Sequence, residues 1–459
     1  MDWRPDIGSG EGFIHQRILR ALEGDIASGR LAPDTRLPPH RTLSHRLGVG
    51  VGAVTQAYAQ AEARGLIVAH VGRGSFVAGP RSHASPEAVQ PGVIDLARNT
   101  APSLMAATHL GTALARLKRR SDLTAHLAYP PPAGLDSHRA AGADWIRRTT
   151  TWSDCEPDQV ICTGGAQQAI AVALSAACRP GGRVIVESAT FSGVISLAAH
   201  MNYTLVPAAM DARGVTPEGL DRAVEDSGAR VAYLQPLQNP TGRIMDLERR
   251  RSLIATARGR GLLIVEDDLY GAYAQEMALP PLAALAPERV FYVNGLSKSL
   301  TPGLRVGYLV PPRGEDWRDR CLRALRAIAF GPPGLAGLIA AQWIEDGTAD
   351  DILAAHRAEL TARAAMGLDV LPSAERPANR SPTHLWLPMS EREAQRVAGQ
   401  AALSGVHVTP PDASAPPGAR EHGLRLCLGA APNRAVLAQG LMVVARALTQ
   451  RGYGALDLV

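Results

Sequence analysis

An α/β body behind a small helical head is the fold class this sequence predicts. Three observations predict it. The 459 residues are too many for one simple core. Residues 12–78 read as three helices followed by a hairpin. From Ile94 onward, apolar strand-like runs alternate with helical stretches rich in Ala, Leu and Arg, the pattern of a mainly parallel sheet.

The first helix spans 12–30, with Ile14, Ile18, Leu22 and Ile26 at strict i, i+4 spacing. Leu37-Pro38-Pro39 interrupts it, and Pro39 starts a second helix carrying Arg41, Leu43 and Leu47. Gly48-Val49-Gly50 is a tight turn. A third helix follows, with Val54, Tyr58 and Ala61 on one face, and ends at Gly65. Leu66–Ala69 and Ser75–Val77 are short strands around Gly72-Arg73-Gly74. Three helices and a hairpin in this order make a winged helix-turn-helix pattern. The Leu37-Pro38 step, the Gly48-Val49 turn, the Ala57-Tyr58 pair, Gly65-Leu66 and the Gly72–Gly74 wing resemble the DNA-binding head of GntR-family regulators. That resemblance implies a double-stranded DNA partner. The family's Ser/Thr-Arg at the start of the recognition helix is replaced by Gly50-Val51-Gly52-Ala53. DNA contacts therefore fall to Arg41, Thr55, Gln56 and Arg73. A winged helix serving only for protein association is the alternative.

The expected domains are 1–78, a linker at 79–93 and a body at 94–459. The linker carries spaced prolines and no periodicity. Strands are expected at 159–162, 183–187, 230–234, 262–265, 290–293 and 307–310.

Composition narrows the class further. Hydrophobic residues make up 46% and charged residues 20%, which is ordinary globular usage. No apolar run reaches the ~18 residues of a membrane span, and no secretory signal is visible. Cys155, Cys162, Cys178, Cys321 and Cys427 form no Cys-x-x-Cys pair, so neither a metal nor a disulfide framework is expected. A cytoplasmic location is the simplest expectation. The net charge of +5 divides into +2 for residues 1–80 and +3 for the rest, too little to indicate nucleic acid by itself.

The most informative count is lysine. Only Lys118 and Lys298 occur among 48 basic residues. Arginine stays protonated, whereas a lysine amine can lose its proton and attack an aldehyde. Lys118 lies in the basic run Leu117–Arg120 and reads as a solvated charge. Lys298 lies in Gly295-Leu296-Ser297-Lys298-Ser299, seven residues before Arg305.

Other candidates surround it in chain order. Thr163-Gly164-Gly165-Ala166-Gln167 is a strand–turn–helix start suited to a phosphate, or a purely structural turn. Phe191 could stack on a ring or pack in the core. Asn239-Pro240-Thr241-Gly242 places an amide at a turn after a strand. Glu266-Asp267-Asp268-Leu269-Tyr270 ends an apolar strand, as a carboxylate for a ring nitrogen or as a solvated acidic turn. Arg425, inside an apolar strand, suits a carboxylate clamp.

Together these motifs resemble fold-type I aminotransferases of class I/II over residues 94–459, with a mainly parallel large domain and a smaller α/β subdomain. The resemblance implies pyridoxal 5'-phosphate and a homodimer. By it, Lys298 forms the internal aldimine and Asp267 pairs with the pyridine nitrogen. Asn239 and Tyr270 bind the ring oxygen. Ala166, Gln167, Ser297 and Arg305 hold the phosphate, and Phe191 stacks on the ring. Arg425 holds an α-carboxylate, and Tyr129 reaches the phosphate of the partner subunit. Gly295 stands where a hydroxyl residue is common. A GntR-type head on such a body resembles the MocR subfamily. This implies a transcriptional regulator that senses an amine or amino acid through an external aldimine. The alternative is a working aminotransferase with an appended head, and residual transamination fits both. No metal site is expected.

Overall fold

The computed structural model describes residues 3–8, 13–28, 30–31, 35–63, 66–70, 74–77, 92–102, 106–314 and 316–450. The chain divides into two compact units, Met1–Val89 and Gln90–Val459.

The first unit contains α1 (Ile14–Ala27), α2 (His40–Leu47) and α3 (Val51–Ala63), followed by an antiparallel pair, Ile67–His70 with Gly74–Val77. Pro39 precedes α2, and Gly48 ends it in the left-handed conformation at φ +64°. The core joins Ile18, Leu19 and Leu22 of α1 to Leu43, Val54, Tyr58, Ala61, Ile67 and Val77. The expected apolar face of α3 is buried at Val54, Tyr58 and Ala61. The expected face of α1 needs correction, because Ile14 is 41% exposed and Leu19 is buried instead. Ile14 is the first residue of the helix, one turn before Ile18, where the buried face begins. Arg73 and the linker residues 79–91 lie outside the described residues.

The second unit is built on a seven-stranded sheet. Its order is Ile161–Thr163, Gly307–Val310, Val290–Gly295, Leu263–Asp267, Val231–Leu234, Arg183–Glu187 and Thr204–Ala208. Only Gly307–Val310 runs antiparallel to its neighbours. Alternate residues feed two cores. Ile185, Ala232, Leu234, Ile264 and Tyr292 face one. Val184, Val186, Tyr233, Val265 and Phe291 face the other. Burial on both faces explains why these strands read as continuous apolar runs. All six expected strands form; Arg183–Glu187 and Gly307–Val310 keep the expected ends, and the other four shift by one or two residues at an end. The seventh, Thr204–Ala208, is an edge strand containing Pro207, a residue tolerated at an edge.

A smaller α/β portion follows. His384–Pro388 pairs antiparallel with Gly423–Cys427, and Val406–Val408 pairs parallel with Ile94–Leu96. Helices Thr348–Val370, Glu391–Leu403 and Arg434–Thr449 pack beside these strands. No helix among the described residues is long and apolar enough to cross a membrane.

Candidate active site in the body and nucleic-acid interface in the head

The site gathers at strand ends. Strand alternation sorts the three acids of Glu266-Asp267-Asp268 onto opposite faces. Glu266 accepts the backbone N–H groups of Leu282 at 2.8 Å and Ala283 at 2.9 Å. Asp268 accepts the Tyr292 hydroxyl at 2.8 Å. Both are structural anchors on the Tyr292 side. Asp267 lies on the other face, where Tyr233 donates to its Oδ2 at 2.5 Å and Gln235 Nε2 donates at 3.3 Å. All three acids are buried, so the solvated-turn alternative does not hold. Burial pushes the Asp267 carboxyl up to about 6, against the lowering effect of the Tyr233 bond.

Lys298 lies on the short helix Leu296–Ser299, beside the part-buried Ser297. Its Nζ donates to the backbone carbonyl of Asn99. Burial lowers this amine to about 8; Cys427 opposes that shift and the charge of Arg425 adds to it. A lysine so lowered carries a substantial neutral fraction near neutral pH, as a nucleophilic amine requires.

A continuous polar chain links the remaining candidates. Arg425 Nη1 donates to Asn239 Oδ1 at 2.6 Å, and Asn239 Nδ2 lies 3.5 Å from the Tyr270 hydroxyl. Arg425 also donates to Thr409 Oγ1 at 3.0 Å and to the Ala97 carbonyl at 3.1 Å. It is buried, and no acidic side chain pairs with it among the described residues. Its strand position opposite Trp386 fixes the guanidinium inside the protein.

The glycine turn opens the helix Ala166–Ala177, with Gly165 at φ +97°. The first N–H groups of a helix have no intrahelical acceptor, which leaves those of Ala166 and Gln167 for an anion. A Cβ on Gly165 would come 2.9 Å from the Arg305 guanidinium. Arg305 also donates to the Gly164 carbonyl at 3.3 Å, which sets it against this turn. Gly295, the departure noted in the sequence, backs the same turn. A Cβ there would lie 3.3 Å from Ala166 Cβ, so the small residue keeps the strand close to the helix start. Gln167 Nε2 donates to the Gly193 carbonyl at 2.8 Å, and the Phe191 ring lies against Gly193. Tyr129 is hydrogen-bonded to none of these candidates. It is 85% exposed, with its ring 5.3 Å from that of Phe330.

Two participants escaped the sequence reading. Asn99 is buried, and besides receiving Lys298 it donates Nδ2 to the Tyr270 hydroxyl at 3.0 Å. The same Nδ2 lies 3.2 Å from His384 Nδ1, while Asn99 Oδ1 has no hydrogen-bond partner among the described residues. His384 is buried and lowered to about 3, first by desolvation and then by Arg425, so it stays neutral. No local motif marks either residue. The one available signal was polarity at the ends of otherwise apolar strands.

These residues fit pyridoxal phosphate. Asp267 is a buried acid without a cationic partner among the described residues, as a protonated ring nitrogen would require. Gly165, Ala166 and Arg305 form a cradle that side-chain atoms would fill.

In the head, Arg41, Thr55 and Gln56 are all exposed on α2 and α3. His40 Nδ1 lies 3.2 Å from Thr55 Oγ1.

Comparison with known proteins agrees with both units. Residues 91–443 match the family model for aminotransferase class I and II, and residues 14–77 that for bacterial regulatory proteins of the gntR family. The HTH-type transcriptional regulator TauR of Rhodobacter capsulatus is 29% identical over 389 residues, covering 76% of this chain and 78% of TauR. The HTH-type pyridoxine biosynthesis transcriptional regulator PdxR of Corynebacterium glutamicum is 28% identical over 332 residues, or 70% of each chain. The crystal structure of LysN, an alpha-aminoadipate aminotransferase from Thermus thermophilus complexed with N-(5'-phosphopyridoxyl)-L-leucine, superposes with a TM-score of 0.70 at 25% identity. That match covers 80% of this chain and 94% of LysN. The body thus has the fold-type I aminotransferase fold, which implies pyridoxal phosphate, and the gntR-type winged helix implies DNA binding. The chain belongs to the aminotransferase class I and II family and carries a gntR-family head, the architecture of MocR regulators.

Proposed function

We propose that this protein is a DNA-binding transcriptional regulator. In this reading it uses pyridoxal phosphate at Lys298 to sense an amine or amino acid bearing a carboxylate. One observation carries the reading. A lowered Lys298 and a buried Arg425 without an acidic partner among the described residues meet in a chain that also presents a helix-turn-helix head. The relatives TauR and PdxR, regulators by name, support it.

Pyridoxal phosphate, when bound, supplies an aldehyde carbon to amines and a ring that withdraws electrons. The chain's own residues would do the rest. Asp267 holds the ring-nitrogen proton, and Asn239 and Tyr270 the ring oxygen. Backbone N–H groups of Ala166 and Gln167, with Ser297 and Arg305, hold the phosphate, and Phe191 covers the ring. Arg425 orients the ligand carboxylate in a fork. A ligand amine would compete with Lys298 Nζ for the aldehyde carbon, and an Nζ so displaced would be a free amine able to donate to the Asn99 carbonyl. That change of charge and position is the signal. It regulates DNA binding only insofar as the ligand favours one arrangement of the heads.

The exposed apolar residues Leu127, Tyr129, Ile328, Phe330 and Leu335, with the Tyr129 and Phe330 rings in contact, support a homodimer in which a second copy would cover them. There Tyr129 would serve the partner subunit's phosphate. With DNA as partner, the cytoplasm is the expected location. Arg41, Thr55, Gln56 and Arg73 are the proposed DNA contacts, with residues 79–93 as linker.

A second reading has specific support. A Lys298 amine lowered to about 8, near Arg425 and linked through Asn99 to Tyr270, is also equipped as a general base for transamination. The two are separated by band-shift on the protein's own upstream DNA, with and without candidate amines, run beside a turnover assay. Ligand-dependent DNA binding supports regulation. Steady amino-acid turnover without any footprint favours the enzyme. If the Lys298→Ala variant keeps the wild-type visible absorption, the cofactor assignment fails.

A further inference from the structure

The exposed face of α3 carries a definite chemistry. Its buried side is Val54, Ala57, Tyr58 and Ala61. That leaves Val51, Gly52, Thr55, Gln56 and Ala59 facing outward, with Val51 42% exposed. The helix contains no lysine or arginine, and Glu62 is its only charged residue. Guanine presents two acceptors in the major groove and is read by paired donors of Arg or Lys. This helix has none to offer.

The glycines at its start are not explained by the head itself. A Cβ on Gly50 or Gly52 would meet nothing within 4 Å, and neither residue has a positive φ. Neither packing nor backbone conformation demands them. They leave the helix start bare, where a recognition helix enters the groove.

Thr55 is already engaged. Its hydroxyl pairs with His40 Nδ1 at 3.2 Å, and the His40 ring meets Tyr58 edge-on at 4.9 Å. Tyr58 in turn donates to the Pro38 carbonyl at 3.0 Å. The Gln56 carboxamide, by contrast, makes no hydrogen bond to a described residue. The groups left for bases are that carboxamide and the methyls of Val51.

We propose that the head reads A·T base pairs in the major groove. Gln56 Oε1 accepts from adenine N6–H while its Nε2 donates to adenine N7, and the Val51 methyls pack on the thymine C5 methyl. Gly50 and Gly52 allow the close approach, and His40 is a positioning residue that holds Thr55 against the groove-facing side. Arg41, on the helix that crosses the backbone, contacts phosphate. This inference rests on the DNA-binding reading above.

The test selects duplexes from a random-sequence library with the full-length protein. The sites should be enriched for A·T at the contacted positions. In a selected duplex, 7-deazaadenine, which lacks the N7 acceptor, should weaken binding roughly 2- to 12-fold at one adenine. Uracil for thymine, which lacks the methyl, should weaken it about fourfold. Gln56→Ala should abolish the first sensitivity and Val51→Ala the second. Gln56→Glu should move the preference at that position to cytosine, whose N4 group donates to a carboxylate. A misfolded variant cannot produce that gain. Enriched sites dominated by G·C, or an A·T preference unchanged in Gln56→Ala and Val51→Ala, would overturn the inference. No enrichment of any sequence over bulk DNA sinks the DNA-binding reading itself.

Discussion

The reactivity of Lys298 should follow pH in a way an ordinary lysine cannot. Burial and the nearby Arg425 charge bring its amine to about 8 from 10.5. At pH 7.5 about a quarter of such a site is neutral, against about 0.1% of an unshifted lysine, a roughly 200-fold difference in nucleophilic amine. The perturbation is pH, applied to protein freed of cofactor and mixed with pyridoxal phosphate. Absorbance follows capture of the aldehyde, and borohydride trapping with mass spectrometry locates it. With only two lysines in the chain, the location is unambiguous. The rate should rise about tenfold per pH unit below about 8 and flatten above it. Arg425→Gln removes a lowering charge, so the bend should move to higher pH. A rate that climbs without bending to pH 10, or labelling of the exposed Lys118 as fast as Lys298, would refute this account of the site.

Three further outcomes follow from the same geometry. Arg425→Lys replaces a planar fork by a point charge, so affinity for a carboxylate-bearing amine should fall roughly 10- to 100-fold in calorimetric titration. Asn99→Ala strips the buried Tyr270 hydroxyl of its 3.0 Å donor, and should cost about 1–3 kcal/mol in urea unfolding. Phe330→Asp places a charge in the exposed apolar cluster around Tyr129. It should weaken self-association in sedimentation equilibrium at least tenfold; an unchanged mass would place the dimer contact elsewhere.

Much of the fold was legible because burial on both sheet faces writes itself as apolar runs. Arg183–Glu187 and Gly307–Val310 formed over the expected spans. Thr204–Ala208 did not announce itself, since an edge strand with Pro207 lacks that pattern. Ile14 shows the limit of periodicity, which assigns a face but not where its cover ends. In the site, Lys298 stood out because arginine had replaced nearly every other lysine. Asp267 could have been separated from Glu266 and Asp268 by strand parity with Tyr233. Asn99 could not have been found this way. Its partners Tyr270 and His384 lie 171 and 285 residues away, and only the fold brings them together.

Coupling between Lys298 and the head is read directly from DNA affinity. The dissociation constant for the protein's own upstream DNA is determined with and without a carboxylate-bearing amine, for the cofactor-loaded wild type and for Lys298→Ala. The amine should change the wild-type constant by about 5- to 150-fold, the usual range of allosteric coupling, and leave the variant's constant unmoved. An equal shift in both proteins, or none in the wild type under conditions where the amine demonstrably occupies the site, would contradict that coupling.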